Sequence, residues 1–130
     1  MREVHAPALI CVVDDDADVR EGMCSLLASA GHGTVAFASA EACLAFERLH
    51  EAGLALFDVR LPGMDGFALH QALAARGVRL AVVFVSGHAD EAMAARALAA
   101  GAAALLQKPV DGDMLLCLIE RMLGPGDALP

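Results

Sequence analysis

Several side chains suited to handling a phosphoryl group lie far apart in this sequence. Three aspartates occupy positions 14–16, and another stands at position 58. Ser86 has a hydroxyl group that can donate a hydrogen bond, and Lys108 has a compact positive charge. Phosphoryl transfer mainly requires positioning and charge stabilisation, so an aspartate nucleophile, a cation, a lysine and a hydroxyl form a sufficient set.

If the fold brings the aspartates together, they predict a bound divalent cation. Carboxylates about 5 Å apart repel one another by ~3 kcal/mol per pair at an effective dielectric near 20. Oxygen ligands without a nearby histidine or cysteine favour a hard ion such as Mg²⁺, with Mn²⁺ as an alternative. Asp14 and Asp15 would also suit a helix N-terminus, but one aspartate suffices there, and we assign Asp16 to that role.

Five strand signals lie among these residues. Four short apolar runs lack the alternation of a half-exposed strand and suit parallel strands buried on both faces: residues 9–13, 54–57, 80–85 and 103–106. A weaker run at residues 34–37 follows the turn formers Gly31 and Gly33 and starts with β-branched residues, as an edge strand does.

Helical patterns alternate with the strands. They cover residues 19–30, residues 39–51 with Ser39 as the cap, and residues 63–76, 89–100 and 114–122. Gly31, Gly77 and Gly124 follow the first, third and last patterns, where glycine commonly ends a helix. The alternation predicts an α/β fold with a doubly wound five-stranded parallel sheet and five helices.

This fold predicts where the polar residues meet. Ligands of doubly wound sheets bind outside the carboxyl ends of the strands. The predicted strands end at residues 14–16, Asp58, Ser86 and Lys108. We therefore expect all of these polar groups to lie at one edge of the sheet.

The composition is that of one domain and disfavours several function classes. The 130 residues suffice for a single core, and the scattered cysteines are expected to be buried thiols. No apolar run reaches the ~20 residues that span a bilayer, and the first residues lack a positively charged leader. We therefore expect a soluble, cytoplasmic chain with no membrane contact. The net charge of −8 predicts no direct nucleic-acid binding by this domain.

At the strand ends the sequence resembles the bacterial CheY-like receiver family, from Ala8 to about Leu123. The matching segments are Cys-Val-Val-Asp-Asp-Asp at 11–16, Leu-Phe-Asp-Val-Arg-Leu-Pro-Gly-Met-Asp-Gly at 56–66, Val-Ser-Gly-His at 85–88 and Gln-Lys-Pro at 107–109. Any one of them would be weak alone, but four in the right order and spacing are a strong match. Asp58-Val59-Arg60, Ser86-Gly87-His88 and Ser39-Ala40-Glu41 are most similar to the FixJ-type subgroup.

The resemblance implies a phosphoryl site built on a magnesium site. Asp58 would be the phosphoacceptor and also a metal ligand. Asp15 would bind Mg²⁺ directly and Asp14 largely through water, with the backbone carbonyl of Arg60 as a further ligand. The flavodoxin-like and CheY-like strand order 2-1-3-4-5 follows from the same resemblance.

Two residues at the later strand ends gain roles in the same way. Ser86 would be the switch hydroxyl, and Lys108 would pair with the phosphoryl group. Pro109 holds the position at which the family has a cis peptide bond, although X-Pro bonds overall are cis in only about one case in twenty.

The resemblance also implies a biological context. Such a chain would be a receiver in a two-component phosphorelay, phosphorylated by a sensor histidine kinase, and a signalling module rather than a turnover enzyme. It could form a homodimer through the fourth helix, fifth strand and fifth helix, and regulate transcription through a separate DNA-binding domain. Residues 1–123 would form the receiver domain and residues 124–130 a linker or tail.

Leu105 departs from the family pattern. The family usually has Tyr or Phe there, and the ring turns inward when the switch hydroxyl moves, so the leucine puts the coupling of site to output face in doubt. One alternative is therefore a pseudo-receiver that binds partners without phosphorylation. Another is a phosphatase of the haloacid-dehalogenase type, but that family needs an aspartate two residues after the nucleophile, where this chain has Arg60.

Overall fold

Strands and helices alternate along residues 9–123, the part of the chain that the computed structural model describes. The elements in chain order are β1 (Leu9–Val13), α1 (Ala17–Ser29), β2 (Gly33–Phe37), α2 (Ala40–Leu44), β3 (Ala52–Asp58), α3 (Gly66–Ala75), β4 (Ala81–Ser86), α4 (Glu91–Ala99), β5 (Ala104–Gln107) and α5 (Gly112–Leu123). A short 3-10 turn at Leu49–Glu51 leads into β3. The alternation confirms the predicted α/β class.

The five strands form one sheet in which every neighbouring pair is parallel. Their order is β2-β1-β3-β4-β5, as the resemblance implied. Because the strands are parallel, their carboxyl ends share one edge. Register places Asp58 beside Val85 and Ser86 beside Gln107, so the ends of the three later strands are adjacent.

The sheet separates two apolar layers, because successive residues of a strand point to opposite faces. Ala55 and Phe57 of β3 belong to the cluster covered by α2, α3 and α4. Leu54 and Leu56 belong to the cluster covered by α1 and α5. Each fully buried leucine or phenylalanine contributes about 1.5–3 kcal/mol of transfer free energy, so both layers anchor the strand that ends in Asp58.

Helix α2 is shorter than predicted, since it ends at Leu44 instead of continuing to residue 51. Ser39 caps it as expected, accepting a hydrogen bond from the Ala42 amide. The Leu44 carbonyl accepts a bond from the Arg76 guanidinium at 2.8 Å, and Phe46 packs against Phe37 with ring centroids 5.5 Å apart. Tertiary contacts thus end a helix in a stretch that contains neither glycine nor proline.

Two other helices begin later than predicted because an aspartate caps each of them. Asp65 accepts a bond from the Ala68 amide, so α3 begins at Gly66 instead of residue 63. Gly63 also has φ +75°, a left-handed conformation that excludes it from a helix. Asp90 accepts from the Met93 amide, so α4 begins at Glu91 instead of residue 89.

The expectation of buried thiols holds for only two of the four cysteines. Cys11 and Cys43 are fully buried, whereas Cys24 is half-buried and Cys117 is exposed on α5. The fifth helix has only one buried stripe, marked by Leu115 and Ile119, and Cys117 lies outside it. Among residues 9–123, no helix is long and apolar enough to cross a membrane.

Candidate functional site

Four strand ends deliver the predicted site residues to one edge of the sheet. Asp14 directly follows β1, Asp58 ends β3, Ser86 ends β4 and Lys108 follows β5. Asp14, Asp58 and Ser86 are buried polar residues, with exposures of 1%, 5% and 0%. Buried polar groups must find partners in the protein, so this edge has to be a connected polar site.

Lys108 joins two of the aspartates. Its ammonium nitrogen lies 2.9 Å from Oδ2 of Asp14 and 3.1 Å from Oδ2 of Asp58. The side chain of Lys108 is one quarter exposed, whereas both carboxylates are almost fully buried. One positive charge therefore serves two buried negative charges.

The pKa values reflect this incomplete compensation. Burial raises the pKa of the Asp58 carboxyl above its ordinary value, Lys108 opposes that effect by hydrogen bonding, and the charge of Asp14 reinforces it. Burial acts to lower the pKa of Lys108, but its hydrogen bonds to Asp14 and Asp58 outweigh burial and leave the pKa raised. The site favours a charged lysine and retains an excess of negative charge.

The remaining negative charge suits a hard cation. Carboxylate oxygens of Asp14, Asp15 and Asp58 lie within 4.8 Å of one another. Asp14 already uses Oδ1 to accept the Asp16 amide at 2.9 Å and Oδ2 to hold Lys108, while Asp15 is exposed. Three oxygen donors around an excess of negative charge fit Mg²⁺ or Mn²⁺, so the residues present match the expected metal.

Asp16 begins α1, as we predicted. Its carboxylate accepts hydrogen bonds from the amides of Asp18 at 2.9 Å and Val19 at 3.3 Å. The three consecutive aspartates therefore have different roles, since Asp16 accepts hydrogen bonds from helix amides that would otherwise lack partners. Asp14 and Asp15 remain for the site.

Ser86 is fully buried at the end of β4. Its Oγ accepts a hydrogen bond from the His88 amide at 3.0 Å, and the hydroxyl hydrogen is not used in that bond. The Ser86 carbonyl accepts from the Lys108 amide at 2.8 Å. These contacts tie the hydroxyl to the segment that leads into α4 and to the residue that holds Asp58.

The segment after Asp58 is tightly shaped. The Arg60 amide donates to Oδ1 of Asp58 at 3.1 Å, and the Gly66 amide donates to the Val59 carbonyl at 3.0 Å. A β carbon at Gly66 would collide with the Asp58 backbone carbonyl oxygen. The Arg60 amide thus helps orient the carboxylate, while a metal-binding role for the Arg60 carbonyl stays a prediction.

Sequence reasoning did not single out three residues that support this edge. Glu41 of α2 accepts from the Met64 amide at 3.0 Å and so holds the loop after Asp58. Arg20 of α1 donates to the Asp14 carbonyl at 2.7 Å. Gln107 bonds to the β4–α4 loop through its side-chain amide. Glu41 and Gln107 belong to segments that resemble the receiver family, but the resemblance gave neither of them a role.

The peptide bond between Lys108 and Pro109 is cis, as the resemblance implied. This bond lies directly after the lysine that bridges Asp14 and Asp58.

Comparison with known proteins identifies similar chains. The family described as "Response regulator receiver domain" matches residues 10–120. The tetrathionate response regulatory protein TtrR of Salmonella typhimurium is 40% identical over 89% of this chain, and the transcriptional regulatory protein FixJ of Azorhizobium caulinodans is 38% identical over 87%. The solved structure of the response regulator StyR covers 92% of this chain with 39% identity and a TM-score of 0.81.

The chain spans about half the length of the curated relatives it matches. The aligned part is 56% of TtrR and 54% of FixJ, and it is 60% of the StyR chain. The similarity therefore concerns only part of each of those proteins.

Proposed function

The chain belongs to the response regulator receiver family, and on this premise we propose that Asp58 accepts a phosphoryl group from a sensor histidine kinase. Receivers are phosphoacceptor domains of two-component systems, and Mg²⁺-dependent phosphorylation of an aspartate is their general mechanism. The observation that carries the assignment is the bridge from Lys108 to Asp14 and Asp58, which places an acidic nucleophile beside a fixed positive charge.

The proposed reaction is an in-line displacement at phosphorus. A carboxylate oxygen of Asp58 forms a bond to phosphorus while the bond from phosphorus to the donor histidine nitrogen breaks, and its electron pair stays on that nitrogen. The Arg60 amide keeps the Asp58 carboxylate oriented during the attack. Lys108 transfers its pairing from the carboxylate to a phosphoryl oxygen, where a charge-assisted hydrogen bond is stronger than a neutral one.

The carboxylates of Asp15 and Asp58 and the Arg60 carbonyl would hold Mg²⁺, or Mn²⁺, with Asp14 acting largely through water. When bound, this ion would supply charge neutralisation for the phosphoryl oxygens. The proposal is supported by the cluster of three carboxylates and by Lys108, which pairs with two of them, Asp14 and Asp58.

Ser86 would report the phosphoryl group to the rest of the domain. Its hydroxyl hydrogen is free to bond a phosphoryl oxygen, and its Oγ is already linked to the loop before α4. A shift of Ser86 toward Asp58 would therefore pull that loop. In this proposal the chain assists only its own phosphorylation and dephosphorylation and acts on no second substrate.

The output surface would be the face formed by α4, β5 and α5, with a second copy of the chain as partner. Leu98 on α4 and Met114 on α5 are large apolar side chains that are 78% and 66% exposed, so both are accessible to a partner at this face. The relatives TtrR and FixJ are regulators, and FixJ is a transcriptional one. Because this chain carries a net charge of −8, we assign any DNA contact to another chain or to a separate DNA-binding domain.

The domain division is also part of the proposal. We assign residues 1–123 to the receiver and 124–130 to a linker or tail. The tail lies outside the described residues, so its assignment rests on its content of glycine and proline.

Acetyl phosphate with Mg²⁺ tests the phosphoacceptor directly, read by intact mass. The parent and Asp113→Asn, which changes an exposed aspartate of α5, should each gain one phosphoryl group, whereas Asp58→Asn should gain none. Equal mass gain in Asp58→Asn and the parent would refute the assignment of Asp58. No gain in the parent would favour the alternative of a pseudo-receiver that binds partners without phosphorylation.

A further inference from the structure

The side chain of Gln107 joins the end of β5 to the loop between β4 and α4. Its Nε2 donates to the Gly87 carbonyl at 2.7 Å and to the Lys108 carbonyl at 3.1 Å. Its Oε1 accepts from the Ala89 amide at 2.9 Å. Two carbonyls on one side and an N–H on the other define which end of the amide is nitrogen, so the orientation is unambiguous.

The side chains of Gln107 and Ser86 together bond three of the six backbone N–H and C=O groups of loop residues 87–89. Gln107 binds Gly87 and Ala89, while Ser86 Oγ binds the amide of His88 between them. Gln107 is exposed, and ordering an exposed glutamine costs side-chain entropy, so three bonds in one rotamer indicate a specific role. The loop is held from both β4 and β5.

Gln107 lies on β5 between the phosphoryl site and Leu105, the residue that departs from the family pattern. It precedes Lys108, and it lies two residues after Leu105, so both side chains point to the same face of the sheet. Leu105 packs against the layer that includes Ala97 of α4. Gln107 therefore lies on the same strand between Leu105, which packs against the layer containing α4, and Lys108, which binds Asp58.

We propose that Gln107 is a positioning residue that latches loop 87–89 in the resting conformation and opposes the movement of Ser86 toward phosphorylated Asp58. The opposition to Ser86 movement rests on the proposed function, because it requires phosphorylation of Asp58. The latch itself is a property of the unphosphorylated chain. For Ser86 to move toward Asp58, the loop attached to it has to slide past Gln107, which breaks or rebuilds the bonds to Gly87 and Ala89. In a chain with Leu105 at the family's aromatic position, this polar contact supplies a direct link from β5 to the loop.

The test replaces the amide while keeping the length of the side chain. Gln107→Met removes all three hydrogen bonds, and Gln71→Met makes the same substitution at an exposed glutamine of α3. In the resting protein, amide exchange at positions 88–90 should accelerate in Gln107→Met and not in Gln71→Met. The concentration of beryllofluoride, a phosphoryl mimic, that half-saturates the site should fall about three- to tenfold in Gln107→Met, the range expected for losing one or two hydrogen bonds. Backbone amide NMR shifts can follow binding, since the chain has no Trp or Tyr.

A near-isosteric variant tests the amide donor separately from the size of the side chain. In Gln107→Glu a carboxylate oxygen would replace Nε2 against the carbonyl oxygens of Gly87 and Lys108, which lie 2.7 and 3.1 Å from Nε2, so exchange at positions 88–90 should accelerate as in Gln107→Met. Exchange at 88–90 that is unchanged in Gln107→Met would overturn the latch. Faster exchange with unchanged or weaker beryllofluoride binding would overturn the opposition to Ser86 movement. If the parent takes no phosphoryl group from acetyl phosphate, the proposed function fails, and the exchange comparison still decides whether the latch exists.

Discussion

The ammonium nitrogen of Lys108 lies 3.1 Å from Oδ2 of Asp58, although 50 residues separate them along the chain. The same nitrogen lies 2.9 Å from Asp14. One lysine thus compensates two carboxylates that are almost fully buried, and the compensation is incomplete. Several properties of the domain should depend on this shared charge.

Lys108→Met should destabilise the metal-free protein. Removing the lysine leaves Asp14 and Asp58 buried without their cationic partner, which we expect to cost about 1–3 kcal/mol in the free energy of unfolding. Urea unfolding in EDTA measures this change. Arg48→Met breaks the exposed ion pair with Glu51 and serves as the control, with little expected effect. A Lys108→Met variant as stable as the control would show that the bridge does not stabilise the fold.

Asp58→Asn should change how stability depends on pH. Burial raises the pKa of Asp58 in the folded state, so between the ordinary carboxyl pKa, about 4, and the raised value the folded protein binds more protons than the unfolded chain. Stability from this group is therefore present at low pH and lost as pH rises through that window. In EDTA, Asp58→Asn should be more stable than the parent near pH 8, and the difference should shrink toward pH 4. A parent that is equally stable at pH 8 would contradict this result.

Mg²⁺ should raise the melting temperature of the parent, because in the proposed function it binds the folded carboxylate cluster and not the unfolded chain. At a concentration ten times the dissociation constant the stabilisation is about 1.4 kcal/mol. Asp15→Asn should lose most of the shift, whereas Glu120→Gln, an exposed change on α5, should keep it. Phosphorylation by acetyl phosphate should also stop in EDTA. If Mg²⁺ leaves the melting temperature unchanged and phosphorylation continues in EDTA, the proposed reaction does not require the metal.

Leu105→Tyr should enlarge the response to phosphorylation. Leu105 is half-buried beside Phe84, and a leucine cannot leave a ring-sized gap on the surface when it moves inward. We expect the parent to show only small changes in amide exchange across residues 89–105 on phosphorylation, and Leu105→Tyr to show larger ones. Gln71→Tyr adds a ring at an exposed site of α3, outside the α4–β5–α5 face, and should behave like the parent. Strong changes in the parent that the tyrosine does not increase would show that Leu105 does not damp the switch.

Gly66→Ala should disturb the backbone that carries Asp58. The added methyl group would meet the Asp58 carbonyl oxygen and the α carbon of Val59, and such overpacking typically costs about 1–3 kcal/mol. Gly22 lies in α1 and has open space where a β carbon would lie, so Gly22→Ala should be neutral or stabilising by up to about 1 kcal/mol. Thermal melts and the rate of phosphorylation distinguish them. Equal behaviour of the two variants would mean that the contact at Gly66 relaxes without cost.

Local information in the sequence determined much of the architecture. The run at Leu9–Val13 was predicted with its observed bounds, and the buried central strands were recognised from short apolar runs, because a strand covered on both faces has no polar side. Asp16 was identified as the cap of α1 because the other aspartates exceeded what a helix end needs. The edge at which the polar residues meet followed from parallel strands alone.

Contacts between distant segments decided the rest. No glycine or proline ends α2 at Leu44. The Arg76 guanidinium donates a hydrogen bond to the Leu44 carbonyl, and Phe46 packs against Phe37. The sharing of Lys108 and the bonds from Gln107 to the β4–α4 loop depend on which strand ends become neighbours and on the register between them. Periodicity and capping act over a few residues and therefore mark elements. Most of these partners lie at least 18 residues apart, Lys108 lies 94 residues from Asp14, and they meet only when the sheet assembles.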